Sequence, residues 1–256
     1  MTATWWPAAF FFLAQSAADM YQRANLLVER RDLEKARAAV EEALRLDPKL
    51  VPALVLKAKL AMQADRLDEA EQSLQTALLL EPGQRYPRFL LGMALYLRND
   101  FDRAAQVLAT ADPKDARVVF YQAMTEEALN HTATAIELYE RSLKLDPNGA
   151  DQRVAFARLH FSLGRIDRAE ALVDEALKLA PQRPDALYEK GRCLLERGEF
   201  AKAAEFGERA LAAPEVGALE RRIRYLLIRA YQKTGNRELA AKHQTVFDRL
   251  PNPLVR

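Results

Sequence analysis

The sequence predicts an all-α solenoid of seven stacked helix–turn–helix units. Three observations carry that expectation. One column of alanines reads Ala36, Ala70, Ala104, Ala135, Ala169, Ala203 and Ala240, at spacings of 34, 34, 31, 34, 34 and 37 residues. A second column, five residues upstream, reads Arg31, Asp65, Asn99, Asn130, Gly164, Gly198 and Gly235 with the same spacings. A proline closes each unit, at Pro48, Pro82, Pro113, Pro147, Pro181, Pro214 and Pro251. Two columns sharing two irregularities mark an internal repeat. A unit of this size cannot bury its apolar face alone, so the units must stack.

The first unit, about 17–50, turns at Arg31 and closes at Pro48. The second, 51–84, shows its first helix plainly: Val51–Ala64 carries Leu54, Ala58, Ala61 and Met62 at helical spacing. The third, 85–115, is cut short. In LATADPKD the proline follows Ala111 by two residues, whereas it follows the small residue by five in ALRLDPKL, ALLLEPGQ, SLKLDPNG and ALKLAPQR. Its second helix, near Asp102–Ala111, is predicted to lose almost one turn, about 4.5 Å at ~1.5 Å per residue. A local change of superhelical twist is expected there. The fourth unit, 116–149, resumes register at Asn130 and Ala135, and the fifth and sixth follow at 150–183 and 184–217. The seventh, 218–253, is degenerate: Ile228 and Phe247 fill columns that are small elsewhere, and RELAAKHQTVFDRL is polar. It reads as a terminal cap whose outer face meets water, or as a docking surface for another subunit.

Local chemistry agrees with this division. Second helices open with acids (DLEKA, RLDEA, DFDRA, RIDRA), which meet the positive end of the helix dipole. They close on Asp-Pro, Glu-Pro or Ala-Pro, because proline lacks the N–H and biases its predecessor out of the helix. The turn column suits a left-handed backbone. The alanines let paired helices approach closely, where larger residues would overpack at about 1–3 kcal/mol.

The composition narrows the function. The net charge of +2 on 256 residues is nearly balanced and argues against nucleic-acid binding, which needs concentrated Lys and Arg. A single cysteine, Cys193, excludes an intramolecular disulfide framework and multi-cysteine metal sites. The N-terminal segment 1–16 holds an apolar run of ten residues, Trp5–Ala14. A bilayer span needs about 20, so no stable membrane span is expected. The run suits the core of a signal peptide, with small residues at Ala14 and Ser16, although no Lys or Arg precedes it. Export to the periplasm or medium is the expectation, with a cytoplasmic protein whose aromatic segment folds back as the alternative.

The small column Ala24, Ala58, Gly92, Ala123, Ala157 and Gly191, the turn column, the alanines and the closing prolines together resemble the tetratricopeptide repeat family. GRIDRAEALVDEALKLAP, from Gly164 to Pro181, is typical of its second halves. The resemblance covers residues 17–256 as a single array and implies a right-handed superhelix whose first helices line a concave groove that takes peptides. Projected on that groove, repeats three and four offer Tyr86, Phe89, Met93, Tyr96, Phe120 and Met124, an apolar anchor site. Later repeats add Phe161 and Tyr188, with Arg158, Arg192 and Arg229 in a row and Arg222 nearby, suited to carboxylates. The implied partner is a protein or peptide with an apolar anchor and an acidic flank, bound by a chain monomeric by itself. The arginines have an internal alternative in Asp151, Asp185 or Glu196. Of the set that holds a partner's C-terminal carboxylate in one sub-type, only Asn25 matches; Tyr21, Leu56 and Tyr86 do not.

No catalytic, cofactor or metal site is expected. His131, His160 and His243 lie in three different repeats with no metal-ligand spacing. Cys193 beside Leu194 and Leu195 reads as a small buried hydrophobe. Glu126 and Glu127 are adjacent on a helix and point about 100° apart. The expected function is a non-catalytic interaction scaffold of bacterial type that uses its concave face. The alternative is a structural subunit of an envelope or secretion-type assembly, docking through its convex face or last repeat.

Overall fold

The computed structural model describes residues 16–214 and 216–251, and fourteen α-helices run through them as seven successive pairs. Trp5–Ala14, on which the signal-peptide expectation rests, lies outside the described residues. The packing divides into two compact units, Met1–Pro113 and Lys114–Arg256. The first holds α1 (Ala17–Glu29), α2 (Leu33–Leu46), α3 (Val51–Gln63), α4 (Leu67–Leu80), α5 (Arg85–Leu97) and α6 (Phe101–Ala109). The second holds α7 (Ala116–Ala128), α8 (Thr132–Leu145), α9 (Ala150–Ser162), α10 (Ile166–Leu179), α11 (Pro184–Glu196), α12 (Phe200–Ala212), α13 (Glu220–Lys233) and α14 (Arg237–Phe247).

The turn column does the work expected of it. Arg31, Asp65, Asn99, Asn130, Gly164, Gly198 and Gly235 all adopt left-handed backbone, with φ between 57° and 79°. Each ends a first helix by the same double bond. At the first turn, Arg31 N–H donates to Val28 O and Asp32 N–H to Leu27 O, both at 2.9 Å. These bonds satisfy carbonyls that a helix end would otherwise leave open. The start of α1 is secured locally: Ser16 Oγ accepts from the Asp19 N–H at 3.1 Å while the Asp19 carboxylate accepts from the Ser16 N–H at 3.0 Å. That reciprocal box holds the Asp19 carboxyl below its ordinary pKa.

Close approach follows from the small residues. The first six alanines of the column are 0% exposed and Ala240 is 7% exposed. A Cβ added at Gly92 would stand 2.5 Å from both Cγ and Cδ2 of Leu108, so α5 and α6 touch there with no space to spare. At Gly207 of α12 the corresponding distance to Leu227 Cδ2 is 2.7 Å. The first unit centres on Ala24, Val40, Leu56 and Leu60; the second centres on Tyr139, Phe156, Leu172 and Val173, and on Leu187, Leu194, Ile223 and Leu227.

Two irregularities in spacing have separate causes. The third unit's second helix, α6, has 9 residues where α2, α4, α8 and α10 have 14, a larger loss than the three residues expected. The connection that follows, residues 110–115, is two longer than residues 47–50, which restores the net deficit of three. Thr110 ends the helix by turning its hydroxyl onto Val107 O at 2.9 Å, and Asp112 pairs with Arg85 at 2.8 Å. The boundary between the compact units falls at that same proline, Pro113. The three extra residues before the last unit form a short 3-10 turn, Gly217–Leu219, ahead of α13.

A recurring ion cluster ties successive pairs inside each unit. Arg98, the residue that ends α5, reaches back to Asp68 at 2.9 Å and Glu71 at 2.5 Å on α4. Arg197, which ends α11, reaches Asp167 and, at 3.2 Å, Glu170 on α10. The four carboxylates occupy matching places, two before and one after the column alanines Ala70 and Ala169.

Candidate functional site

In the first unit, α5 carries four of the residues expected in the groove. Tyr86 is 41% exposed, Met93 and Tyr96 are half-buried, and Phe89 is only 5% exposed. Phe89 therefore serves the core while its ring lies 6.4 Å from that of Tyr86. A pocket of about 310 Å³ opens against α1, α3 and α5, lined by Tyr21, Tyr86, Val51, Val55 and Leu56 with Asn25 and Lys59. The Asn25 Nδ2 donates to Tyr21 O at 3.1 Å, so this amide is partly spoken for.

In the second unit, Phe120 and Met124 of α7 are half-buried and pack against the cluster of Tyr139 and Phe156. The Tyr139 hydroxyl donates to Glu127 at 2.6 Å, and its ring stacks on Phe156 at 5.2 Å. Farther on, α9, α11 and α13 bring Phe161, Tyr188, Arg192 and Arg229 together in a pocket of about 250 Å³, with Leu195, Glu196, Tyr225 and Leu226. Four residues expected from widely separated sequence positions thus line one cavity. Arg158 stands exposed on α9 outside that lining.

The electrostatics of this pocket are specific. The Arg192 guanidinium lies 3.8 Å from the centre of the Phe161 ring and 5.8 Å from that of Tyr188. Arg222 covers the same tyrosine at 4.9 Å. Planar cations on ring faces are attracted by the aromatic quadrupole and held rigid. Arg192 Nη1 also donates to Glu189 at 2.5 Å, and Glu189 is 2% exposed. Burial pushes the Glu189 carboxyl up from its ordinary pKa, while Arg192, Arg158 and Arg222 pull it down. Arg229 faces Glu196 at 3.9 Å, the one pairing foreseen among the sequence alternatives that involves the arginine row. Asp151 and Asp185 instead take Arg183. Sequence reading missed Glu189 altogether. Its position three residues before Arg192 on one helix face was the available signal.

Other titratable groups are placed for structure. Among the described residues no three of His, Cys, Asp and Glu converge as a metal site. Cys193 is buried and its thiol is pushed up to about 12, chiefly by burial, which leaves it unreactive. His131 meets Glu126 at 2.7 Å in a turn, and His243 is fixed between Glu208 and Arg224. No helix among the described residues is long and apolar enough to cross a membrane.

Comparison with known proteins agrees with this geometry. Residues 89–150 and 154–218 match one family model described as tetratricopeptide repeat, and residues 27–87 match a second of the same description. Cellulose synthase operon protein C of Pseudomonas fluorescens is 29% identical over 209 residues, 74% of this chain. The chain spans only 16% of that relative's length. Among solved structures, a tetratricopeptide repeat protein from Parabacteroides merdae superposes with a TM-score of 0.71 at 17% identity, covering 84% of each chain. YrrB, described as having an unusual peptide-binding site, gives 0.54 at 21% identity over 69% of this chain and 92% of its own. These two likenesses are of fold.

Proposed function

Because the chain belongs to the tetratricopeptide repeat family, whose members generally mediate protein–protein contacts, we propose that it is a non-catalytic scaffold that binds an acidic, apolar-anchored protein segment on its first helices. The observation that carries this reading is the pocket of α9, α11 and α13. Its lining carries Arg192 and Arg229 against the single carboxylate Glu196, beside the rings of Phe161, Tyr188 and Tyr225, and Arg222 covers the Tyr188 ring from α13. Arginine forks match carboxylates, and rigid aromatics give contact area at small entropic cost. Tyr86, Met93 and Tyr96 in the first unit, and Phe120 and Met124 in the second, supply further apolar contact within their own units. The protein works as a monomer, exported by its first 16 residues.

Fluorescence anisotropy tests the reading with labelled peptides that carry one Phe or Leu flanked by Asp and Glu. Binding is expected to weaken with added salt, with Asn and Gln in place of the acids, and with Arg192→Glu/Arg229→Glu. Equal affinity for the acidic and amide peptides would refute it.

A further inference from the structure

Arg192 is a half-used cation. Its guanidinium has five N–H donors, and among the described residues only Nη1, to Glu189, makes a hydrogen bond. Glu189 approaches from the interior, with its side chain 3% exposed against 26% for that of Arg192. A carboxylate arriving from solvent reaches the same guanidinium from the open side of the pocket. One face of that guanidinium already lies on the Phe161 ring at 3.8 Å, so the newcomer takes an edge close to the buried Glu189, and repulsion between the two carboxylates favours the neutral form of one of them.

We propose that Glu189 is an internal stand-in for the partner's carboxylate, giving up Arg192 when an acidic side chain enters, so that partner binding takes up one proton. The inference rests on the acidic-partner reading above. The proton comes from solvent and ends on the Glu189 carboxyl; no covalent bond to the partner forms. Glu189 is the member that protonates because it is the buried one, already displaced toward its neutral form by desolvation. Three arginines favour its ionised state: Arg158 from α9, Arg192 from its own helix, and Arg222 from α13. Of these only Arg192 touches it. Arg229 and Glu196 pair at the pocket's edge, and Cys193 on the same helix stays a thiol. Losing Arg192 therefore removes the one direct contact that keeps the buried charge. Glu189 also acts as a filter, because a ligand without a carboxylate cannot offset the exchange.

The test uses the whole chain and a fluorescein-labelled peptide with one Phe flanked by Asp and Glu, titrated between about pH 8 and pH 5.5. Wild type is expected to bind on the order of tenfold more tightly at the acid end, the scale of one charged hydrogen bond. Glu189→Gln, with its fold checked by circular dichroism, is expected to bind tightly throughout with a flat profile; His131, His160 and His243 remain in it, so a surviving slope would belong to them. Calorimetry of wild type in buffers of different ionisation enthalpy reads proton uptake without any variant. Uptake approaching one proton supports the exchange. Peptide binding with no uptake, or a Glu189→Gln slope equal to wild type, overturns the exchange and leaves the acidic-partner reading standing. No binding of the acidic peptide by wild type at any pH overturns both.

Discussion

Adding one methyl group at Gly92 tests the close packing on which each helical pair depends. The new Cβ of Gly92→Ala would lie 2.5 Å from Leu108 Cγ and Cδ2, against about 3.5–4.0 Å for a relaxed carbon contact. Leu108 is fully buried, so it has no solvent to retreat into. Overpacking of this kind costs about 3 kcal/mol at the upper end, and the helical preference of Ala over Gly returns about 1. The net loss is about 2 kcal/mol, a fall in Tm of roughly 4–8 °C for a chain of this size. Leu108→Ala alone costs about 2–5 kcal/mol through its cavity. In that background the added methyl has room, and Gly92→Ala is expected to stabilise by about 1 kcal/mol. The coupling of about 3 kcal/mol is large for a double-mutant cycle. Thermal melts by circular dichroism measure it, and amide exchange in α5 and α6 localises it, since stacked repeats open piecewise. Additive single effects, or a higher Tm for Gly92→Ala alone, would refute the packing argument.

Three further outcomes are expected. Arg31→Gly should raise stability by about 1 kcal/mol, because Arg31 holds φ at 59° where glycine has no Cβ penalty; a lower urea midpoint would contradict this. Arg98→Ala leaves Glu71, whose side chain is 12% exposed, with Arg103 as its remaining ion-pair partner, and should cost about 1 kcal/mol, less at high salt; a loss independent of salt would point to packing instead. His160 is buried with neither ring nitrogen hydrogen-bonded, and burial first, then Arg165 and Arg168, lowers its pKa. The unfolded chain therefore binds the proton more readily, so stability is full above about pH 6.5 and falls as the pH drops toward the lowered native value. His160→Phe, tilted against Phe156 as the imidazole is, should flatten that acid-side loss in urea titrations at several pH values.

The repeat was legible because its signals are backbone requirements. Seven residues chosen for a left-handed turn, and seven alanines chosen for contact, are written at fixed intervals and occupy the places their chemistry demands. The groove was less legible. Phe89 and Tyr188 share a helical face with Tyr86 and Arg192, yet the first two are buried, because a 3.6-residue period fixes a direction and not a depth. Glu189 was hidden for a related reason: a charged residue in a row of polar ones looks solvated until its neighbours' volumes are known. The shortening of α6 was visible from Pro113, but its extent depends on Thr110 and Asp112 finding local partners.

The clusters of Arg98 with Asp68 and Glu71, and of Arg197 with Asp167 and Glu170, amount to an interchangeable fitting. The same chemical part has been set at two joints, with its acids at fixed offsets from the column alanine and its arginine just before the next left-handed turn. The first joint lacks it, although Glu34 already stands where Asp68 and Asp167 stand. Ala64→Arg with Arg37→Glu would write the remaining two pieces there. A part that can be copied by position makes the array a kit, in which the firmness of the first joint is adjustable by two letters outside the residues that line the pocket of α1, α3 and α5.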